Sequence, residues 1–287
     1  MASSQPQITM RCMTPADVPL GMKLKTFAGW NQTPADWQRF LAIEPEGCFV
    51  GRLDGEDAGT VTTIAFEKRF GWVGMVLVLP EKRRHGLGTA LLYQGIGYLK
   101  SIGVETVRLD ATPMGKLVYD RIGFRDEYHL ERRQGRGQRI ESHGCLAATS
   151  RDADDIIAFD APRFGANRSP VLTRLLAENP ASSLIHRTAD GRLDGYIIAR
   201  PGSNAFQVGP WLAESPDVAE ELFKSVLNLL ADKPIFFDVP LPNPHGVALA
   251  ERYGFAVQRP FIRMYLGMNR HPGDPRQIYS TSGPEKG

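Results

Sequence analysis

The amino-acid sequence predicts an α/β protein of two consecutive domains, each a mixed β-sheet flanked by helices. Three observations predict it. The chain has 287 residues and a mass of 31.8 kDa, which exceeds the usual single-domain size and gives two cores enough apolar residues. Between Trp72 and Ala111 an apolar strand, a glycine-bearing loop, a helix and a second strand follow one another, the order of a parallel strand–helix–strand unit. The same order returns, in outline, after residue 183.

Composition narrows the function classes. Hydrophobic residues make up 42% and charged residues 23%, ordinary for a globular protein, and 34 cations against 32 anions leave a net charge of +2. No global field marks a nucleic-acid binder, so any anion site has to be local. Cys12, Cys48 and Cys145 are scattered without CxxC spacing, which fits neither a disulfide framework nor a zinc site, and no metal is expected. The opening "MASSQPQITMR" has no apolar signal core, and no stretch approaches the roughly 18 apolar residues of a membrane span. The expectation is a cytoplasmic protein with no membrane or nucleic-acid partner; its oligomeric state is left open.

The elements follow in order. Thr14-Pro15-Ala16-Asp17 and Thr33-Pro34-Ala35-Asp36 each place a cap residue, a proline with preset φ and an acid at a helix start; in the first, Asp17 itself is a candidate cap because Pro19 lacks an N–H. Between them, "FAGWNQ" is an aromatic, amide-rich connection that makes Trp30 and Asn31 candidates for the substrate side, with an ordinary packed loop as the alternative. "GCFVGRL" and "GTVTTIAF" read as a hairpin around Asp54-Gly55. "WVGMVLVL" is apolar on both faces and belongs in mid-sheet. A helix from Thr89 to Ser101 carries Gly95 and Gly97, which close packing on the sheet would explain; Gly103 ends it, and "VETVRLDA" is the next strand.

The loop "PEKRRHGLG" joins the mid-sheet strand to that helix. A glycine-bearing loop there presents unpaired N–H groups to an anion, reinforced by the helix dipole, while Lys82, Arg83 and Arg84 add charge. A P-loop would end in Gly-Lys-Ser/Thr, and a dinucleotide fingerprint from Gly86 would need a small residue at Leu91; neither is met. The spacing Arg83-x-x-Gly86-x-Gly88, followed one strand later by "GKLVYDRIGF" with Tyr119, Gly123 and Phe124, resembles the GNAT superfamily of N-acetyltransferases over residues 8 to about 132.

That resemblance implies two tandem GNAT-like domains, each with a centrally splayed sheet, and acetyl-CoA as co-substrate. It implies a pyrophosphate held at Arg83, Arg84, His85, Gly86, Leu87, Gly88 and Thr89, a pantetheine arm and acetyl carbonyl along Val76, Leu77 and Val78, and Tyr119 as the acid that protonates the thiolate. Where many relatives have an asparagine before the tyrosine helix, this chain has Pro113-Met114-Gly115. For the base that deprotonates the amine, Asp110 and Glu67 are the candidates, with a water chain as the alternative.

In the second half, "SSLIHRTADGRLDGYIIAR", "AFQVGPWL", residues 215 to 231, "IFFDVP" and "VALAERYGF" take the same places. The Gly-Phe pairs at 123 and 254 are 131 residues apart, and that offset carries Tyr119 to Ala250. "AESPDVAEEL" replaces the anion loop, with Glu214, Asp217, Glu220 and Glu221 where a phosphate would sit. The expectation is a catalytic domain at 1–134, a linker at 135–146 within the charged stretch 131–144, a degenerate domain at 147–268 and a flexible tail at 269–287. The expected activity is transfer of acetyl to a primary amine of a small molecule. A protein or peptide acetyltransferase and a non-catalytic CoA sensor are the alternatives.

Overall fold

The computed structural model describes residues 6–287, which form two compact units, one running to Leu109 and joined by Lys286, the other from Asp110 to Glu285 with Gly287.

The first unit is a five-stranded sheet. It contains β1 (Ile8–Cys12), α1 (Val18–Phe27), α2 (Pro34–Ile43), β2 (Phe49–Leu53), β3 (Glu56–Phe66), β4 (Phe70–Val78), α3 (Leu87–Ser101) and β5 (Thr106–Ala111), whose last two residues pass into the second unit. β1 to β4 are antiparallel neighbours in chain order, and β5 lies parallel to β4. Both helix starts behave as the tetrapeptides suggest: the Thr14 N–H donates to Asp17 Oδ2 at 2.8 Å and the Thr33 N–H to Asp36 Oδ2 at 2.9 Å. Asp54 and Gly55 make the hairpin turn with φ of 52° and 85°, the left-handed pair that matches strand twist. α3 lies down on β2–β4 because glycines clear its seat: a Cβ on Gly51 would come within 2.8 Å of Leu87, and one on Gly71 within 2.6 Å of Leu99. Gly95 answers from the helix side, 3.1 Å from Val61; Gly97 meets nothing and faces solvent, so packing explains only the first of these two.

The second unit contains α4 (Pro113–Ile122), β6 (Arg125–Arg136), β7 (Cys145–Ala147), α5 (Ala153–Phe164), α6 (Ser169–Glu178), β8 (Ser183–Arg187), β9 (Leu193–Arg200), β10 (Phe206–Ala213), α7 (Pro216–Leu229), β11 (Pro234–Pro240), α8 (Pro244–Arg252), β12 (Ala256–Gly267) and β13 (Ile278–Ser280). Its strand order is β12-β6-β11-β10-β9-β8-β7, with β10 and β11 parallel and the other neighbours antiparallel. The 131-residue repeat is visible in its backbone. Thr112 Oγ1 accepts from Gly115 N at 3.2 Å and Asn243 Oδ1 from Gly246 N at 3.0 Å; Phe124 N donates to Tyr119 O and Phe255 N to Ala250 O. Each pair is the other shifted by 131.

Three expectations need correction here. The charged stretch from Glu131 is not a solvated connector up to Arg136: it is the end of β6, paired on both sides by β11 and β12, and only residues 137–144 lack a named element. Two of its charges, Arg132 and Arg133, are buried, and Arg132 donates to both oxygens of Asp238 at 2.8 and 2.9 Å, in a pair 3% and 1% exposed. The contacts therefore divide the chain at 109/110, whereas a boundary at 134 was expected, because β6 is built into the sheet of the second half. The tail is not loose: β13 pairs with β10, and Ile278 through Ser282 are buried. Polar, Pro/Gly-rich sequence hid it because its apolar contact comes from a pair of residues only, Ile278 and Tyr279, the latter 5.1 Å from Trp211 between ring centroids, while hydroxyls and main chain hold the residues around them. Among the described residues no helix is long and apolar enough to cross a membrane.

Candidate functional site

In the first unit β4 and β5 are parallel partners only from Phe70↔Thr106 to Trp72↔Arg108, after which β4 runs on to Val78 alone on that side. This is the splay that the resemblance implies. On its other side, β4 carries a bulge: Thr62 faces Gly74 but Thr60 faces Leu77, so Val61 stands opposite both Met75 and Val76. Met75 has φ 52°, a left-handed conformation costly for a side chain with a Cβ, and its carbonyl accepts from Thr60 Oγ1 at 3.0 Å. Val76, Leu77 and Val78 all fall in this stretch, Leu77 buried and the two valines partly exposed.

β4 leads through a short 3-10 turn at Pro80–Lys82 into the anion loop. Arg84 and Gly86 take φ of 66° and 85°, and Gly86 is the N-cap of α3. Ala90 N is bonded to Gly86 O, so Leu87, Gly88 and Thr89 keep their N–H groups outside the helix ladder. Arg83, Arg84, His85, Gly86 and Thr89 are exposed, Gly88 is half-buried, and Leu87 is buried beneath the helix. Arg83 Nε donates to Val78 O at 3.1 Å, tying the loop to the strand. Lys82 is committed to Glu56 at 2.5 Å, whereas Arg83 and Arg84 make no ion pair with a described carboxylate. The glycines are not required by the protein's own packing: a Cβ on Gly86 would lie 3.8 Å from Ile8 and one on Gly88 3.7 Å from Val78, both ordinary contacts. The uncrowded left-handed cap, beside two exposed guanidinium groups that make no ion pair with a described carboxylate, fits a close-approaching pyrophosphate.

In the second unit, Tyr119 lies on α4 with its ring over Gly115, where a Cβ would come within 2.9 Å, and against Phe124 at 5.9 Å between centroids. Gly115, in the Pro113-Met114-Gly115 stretch, is thus the seat of the ring. The Tyr119 hydroxyl makes no hydrogen bond to a described residue, and loss of solvation pushes its pKa up to about 12, so it stays a proton donor.

The structure places Asp110 in a buried ion pair. Arg263 donates to its two oxygens at 2.9 and 3.0 Å, and the side chains are 1% and 4% exposed, which withdraws the carboxylate from solvent. Glu67 is also withdrawn. It sits in the β3–β4 turn with φ 50°, exposed and facing Arg69 at 3.4 Å, and the length of β4 separates it from the loop, about 25–30 Å at a strand's rise per residue. Trp30 and Asn31 lie in the α1–α2 connection, Trp30 half-buried and Asn31 buried at 5%. Among the described residues no group of His, Cys, Asp and Glu is arranged to hold a metal ion. Reading the sequence missed Thr60; the threonine run inside an otherwise apolar buried strand, "TVTT", was the available signal.

The second half closes the corresponding site. β10 and β11 also part, after Phe206↔Ile235 and Gln207↔Phe236, but β13 enters the gap. Ser280 Oγ accepts from Asp238 N at 3.1 Å and donates to Val208 O at 2.8 Å, while Thr281 N donates to Asp238 O at 3.0 Å. The bulge of β10 is Gly209-Pro210, where proline has no N–H to offer, and a Cβ on Gly209 would lie 2.0 Å from Thr281 O. Ser215 caps α7 with its side chain on Val218 N, and Glu214 is neutralised by Arg192 at 2.6 Å. Glu220 and Glu221 are likewise paired, with Arg252 at 2.7 Å and Lys224 at 2.8 Å, and the cap and the tail fill the place.

The chain matches the Acetyltransferase (GNAT) family over residues 21–124 and an Acetyltransferase (GNAT) domain over residues 156–280. It is 24% identical to a holothin acyltransferase of Pseudoalteromonas sp. (strain SANK 73390), over 90% of this chain and 87% of that one. An acetyltransferase-type structure from Pyrococcus horikoshii superposes with a TM-score of 0.83 at 21% identity, covering 98% of this chain and 96% of the other. A tandem GNAT protein from the clavulanic acid biosynthesis pathway superposes with a TM-score of 0.64 at 14% identity, covering 91% and 98%.

Proposed function

A member of the GNAT acetyltransferase family, the chain is an acyltransferase, and we propose that it moves acetyl from acetyl-CoA to the primary amine of a small molecule. The observation that carries this reading is the loop after β4: three helix-start N–H groups, two glycines at which a Cβ would meet only ordinary contacts, and Arg83 with Gly86 and Gly88 in the spacing of the family's pyrophosphate site, beside an exposed Arg84. The relative named for acylating holothin, matched over 90% of this chain, supports a small-molecule acceptor.

When bound, acetyl-CoA supplies a thioester carbonyl and a thiol leaving group. The N–H groups of residues 87–89 with Arg83 and Arg84 hold its pyrophosphate, and main-chain N–H groups of Val76–Val78 donate to the carbonyl oxygen as negative charge develops there. The acceptor attacks as the free amine; its C–N bond forms as the C–S bond breaks, and an N–H proton leaves to water. Tyr119 gives its phenolic proton to the departing sulfur and recovers one from solvent. With Asp110 and Glu67 withdrawn, no side chain is assigned as base, and water takes that role.

Gly86→Asp tests the reading. The φ of 85° strains an aspartate there by about 1–2 kcal/mol, and its Cβ meets only an ordinary contact 3.8 Å from Ile8, so the variant should still fold, but its charge faces the pyrophosphate. Calorimetry with CoA should show one site in the parent and at least a tenfold weaker one in the variant. Equal affinity in a folded variant removes the loop assignment, and a parent that binds no CoA removes the acetyl-transfer reading. Release of free thiol across pools of amines then identifies the acceptor class.

A further inference from the structure

We propose that Thr60 is a positioning residue for acyl transfer: its hydroxyl latches the bulge of β4 so that the Val76 N–H faces the acyl carbonyl. The inference rests on the acetyl-transfer reading above. The bulge sets Val61 against two residues, Met75 and Val76, and so takes the Met75 peptide out of the regular ladder. The Met75 carbonyl is instead caught by Thr60 Oγ1 at 3.0 Å, inside a strand where Thr60 is fully buried. A peptide unit is planar and trans, so its C=O and N–H point in opposite directions. Holding the Met75 carbonyl toward β3 therefore turns the Val76 N–H away from β3, to the side on which β4 has already parted from β5 beyond Trp72↔Arg108. A donor fixed there costs no reorganisation when charge develops on an oxygen in front of it. The left-handed φ of 52° at Met75 is uphill for a side-chain-bearing residue, and without the latch the peptide can relax toward ordinary strand geometry, taking the N–H with it.

Thr62 supplies an internal control. It lies two residues along the same strand and is equally buried, yet its Oγ1 has no hydrogen-bond partner among the described residues. A hydroxyl that only fills space and one that holds a peptide can thus be compared in one strand.

The test uses the full chain and acetyl-CoA labelled with ¹³C at the carbonyl. Infrared difference spectra report how strongly the bound carbonyl is polarised, and need no knowledge of the acceptor. The parent should shift the carbonyl band to lower frequency. Thr60→Val, which keeps the shape and deletes the donor, should lose most of that shift while its affinity for CoA stays within about twofold. With an accepting amine, its kcat should fall by about tenfold or more, short of the roughly 10²–10³ seen when an oxyanion donor itself is removed. Thr60→Ser should keep the shift and Thr62→Val should match the parent. A full shift in Thr60→Val, a Thr60→Ser as impaired as the valine variant, or an equal loss in Thr62→Val overturns the proposal. If Thr60→Val does not fold, Thr60→Ser and Thr60→Cys decide, because a thiol is a weak donor: equal shifts in the two overturn it. A parent that binds acetyl-CoA without shifting its carbonyl overturns the latch alone. A parent that does not bind it overturns the acetyl-transfer reading and the latch together.

Discussion

At the scale of single residues, the chain separates groups that hold protons from groups that hold the fold. Tyr119 belongs to the first kind, since its hydroxyl bonds to no described residue and Tyr119→Phe gives up no hydrogen bond in the resting protein. General acid catalysis is typically worth about 10²–10⁴, and a thiolate leaves readily, so kcat should fall by about a hundredfold with CoA affinity and melting temperature unchanged. Its pKa is raised from 10 to about 12, so the acid form persists below pH 10 and is lost only as pH rises toward 12; a kcat profile falling between pH 7 and 9 would have to come from another group. Asp110 belongs to the second kind. Asp110→Asn strips the partner from a guanidinium that is 4% exposed, and breaking such a buried pair costs about 3–5 kcal/mol. Denaturant unfolding should show that loss, while turnover per folded molecule stays near the parent's; the reverse pattern would reinstate Asp110 as a base.

At the scale of the element, α3 carries glycines of different purpose. Gly97 meets nothing within 4 Å, so Gly97→Ala should stabilise by about 0.5–1 kcal/mol through helix propensity and a less free unfolded chain. Gly95→Ala should not, because its Cβ would sit 3.1 Å from Val61. Gly88 resembles Gly97 in the ligand-free protein, and Gly88→Ala should likewise not destabilise, yet it should weaken CoA binding; melting curves with and without CoA separate the three. Element existence was legible wherever apolar periodicity or turn chemistry sets structure: the Asp54-Gly55 hairpin, β4, α3 and its end at Gly103 all fell where the pattern put them. What escaped was held together by polar groups. β6 was misread because Arg132 and Arg133 occupy buried positions, β13 because two apolar residues, Ile278 and Tyr279, are too short a signal and a hydroxyl and main-chain amides supply the rest, and Asp110 because an acid facing away from an aliphatic row looks like a base until Arg263, 153 residues later, is brought to it.

At the scale of the molecule, the last strands of the two halves pair with each other. β6 and β12 pair antiparallel with Leu130 opposite Phe261, Tyr128 opposite Arg263 and Arg132 opposite Arg259. At the 131-residue offset Leu130 faces its own counterpart, and the flanking pairs are images of each other, the self-complementary pattern of a two-fold interface written within one chain. The ion pairs cross over in the same way: Asp238 of the second half is held by Arg132 of the first, and Asp110 of the first by Arg263 of the second. A cut at residue 134 would therefore leave β6 without β11 and β12, and would bury or expose Asp110 and Arg132 with no partner, so the fragment 1–134 should be insoluble or unfolded rather than a small CoA-binding domain. The full chain should still bind one CoA, because the second half offers a proline at its bulge, a side-chain-capped helix and a cleft occupied by β13. Circular dichroism of the fragment and calorimetric stoichiometry of the full chain test the two statements separately. A folded, CoA-binding 1–134 would show that pairing of β6 with β11 and β12 is dispensable, and two CoA sites per chain would show that the tail leaves its cleft.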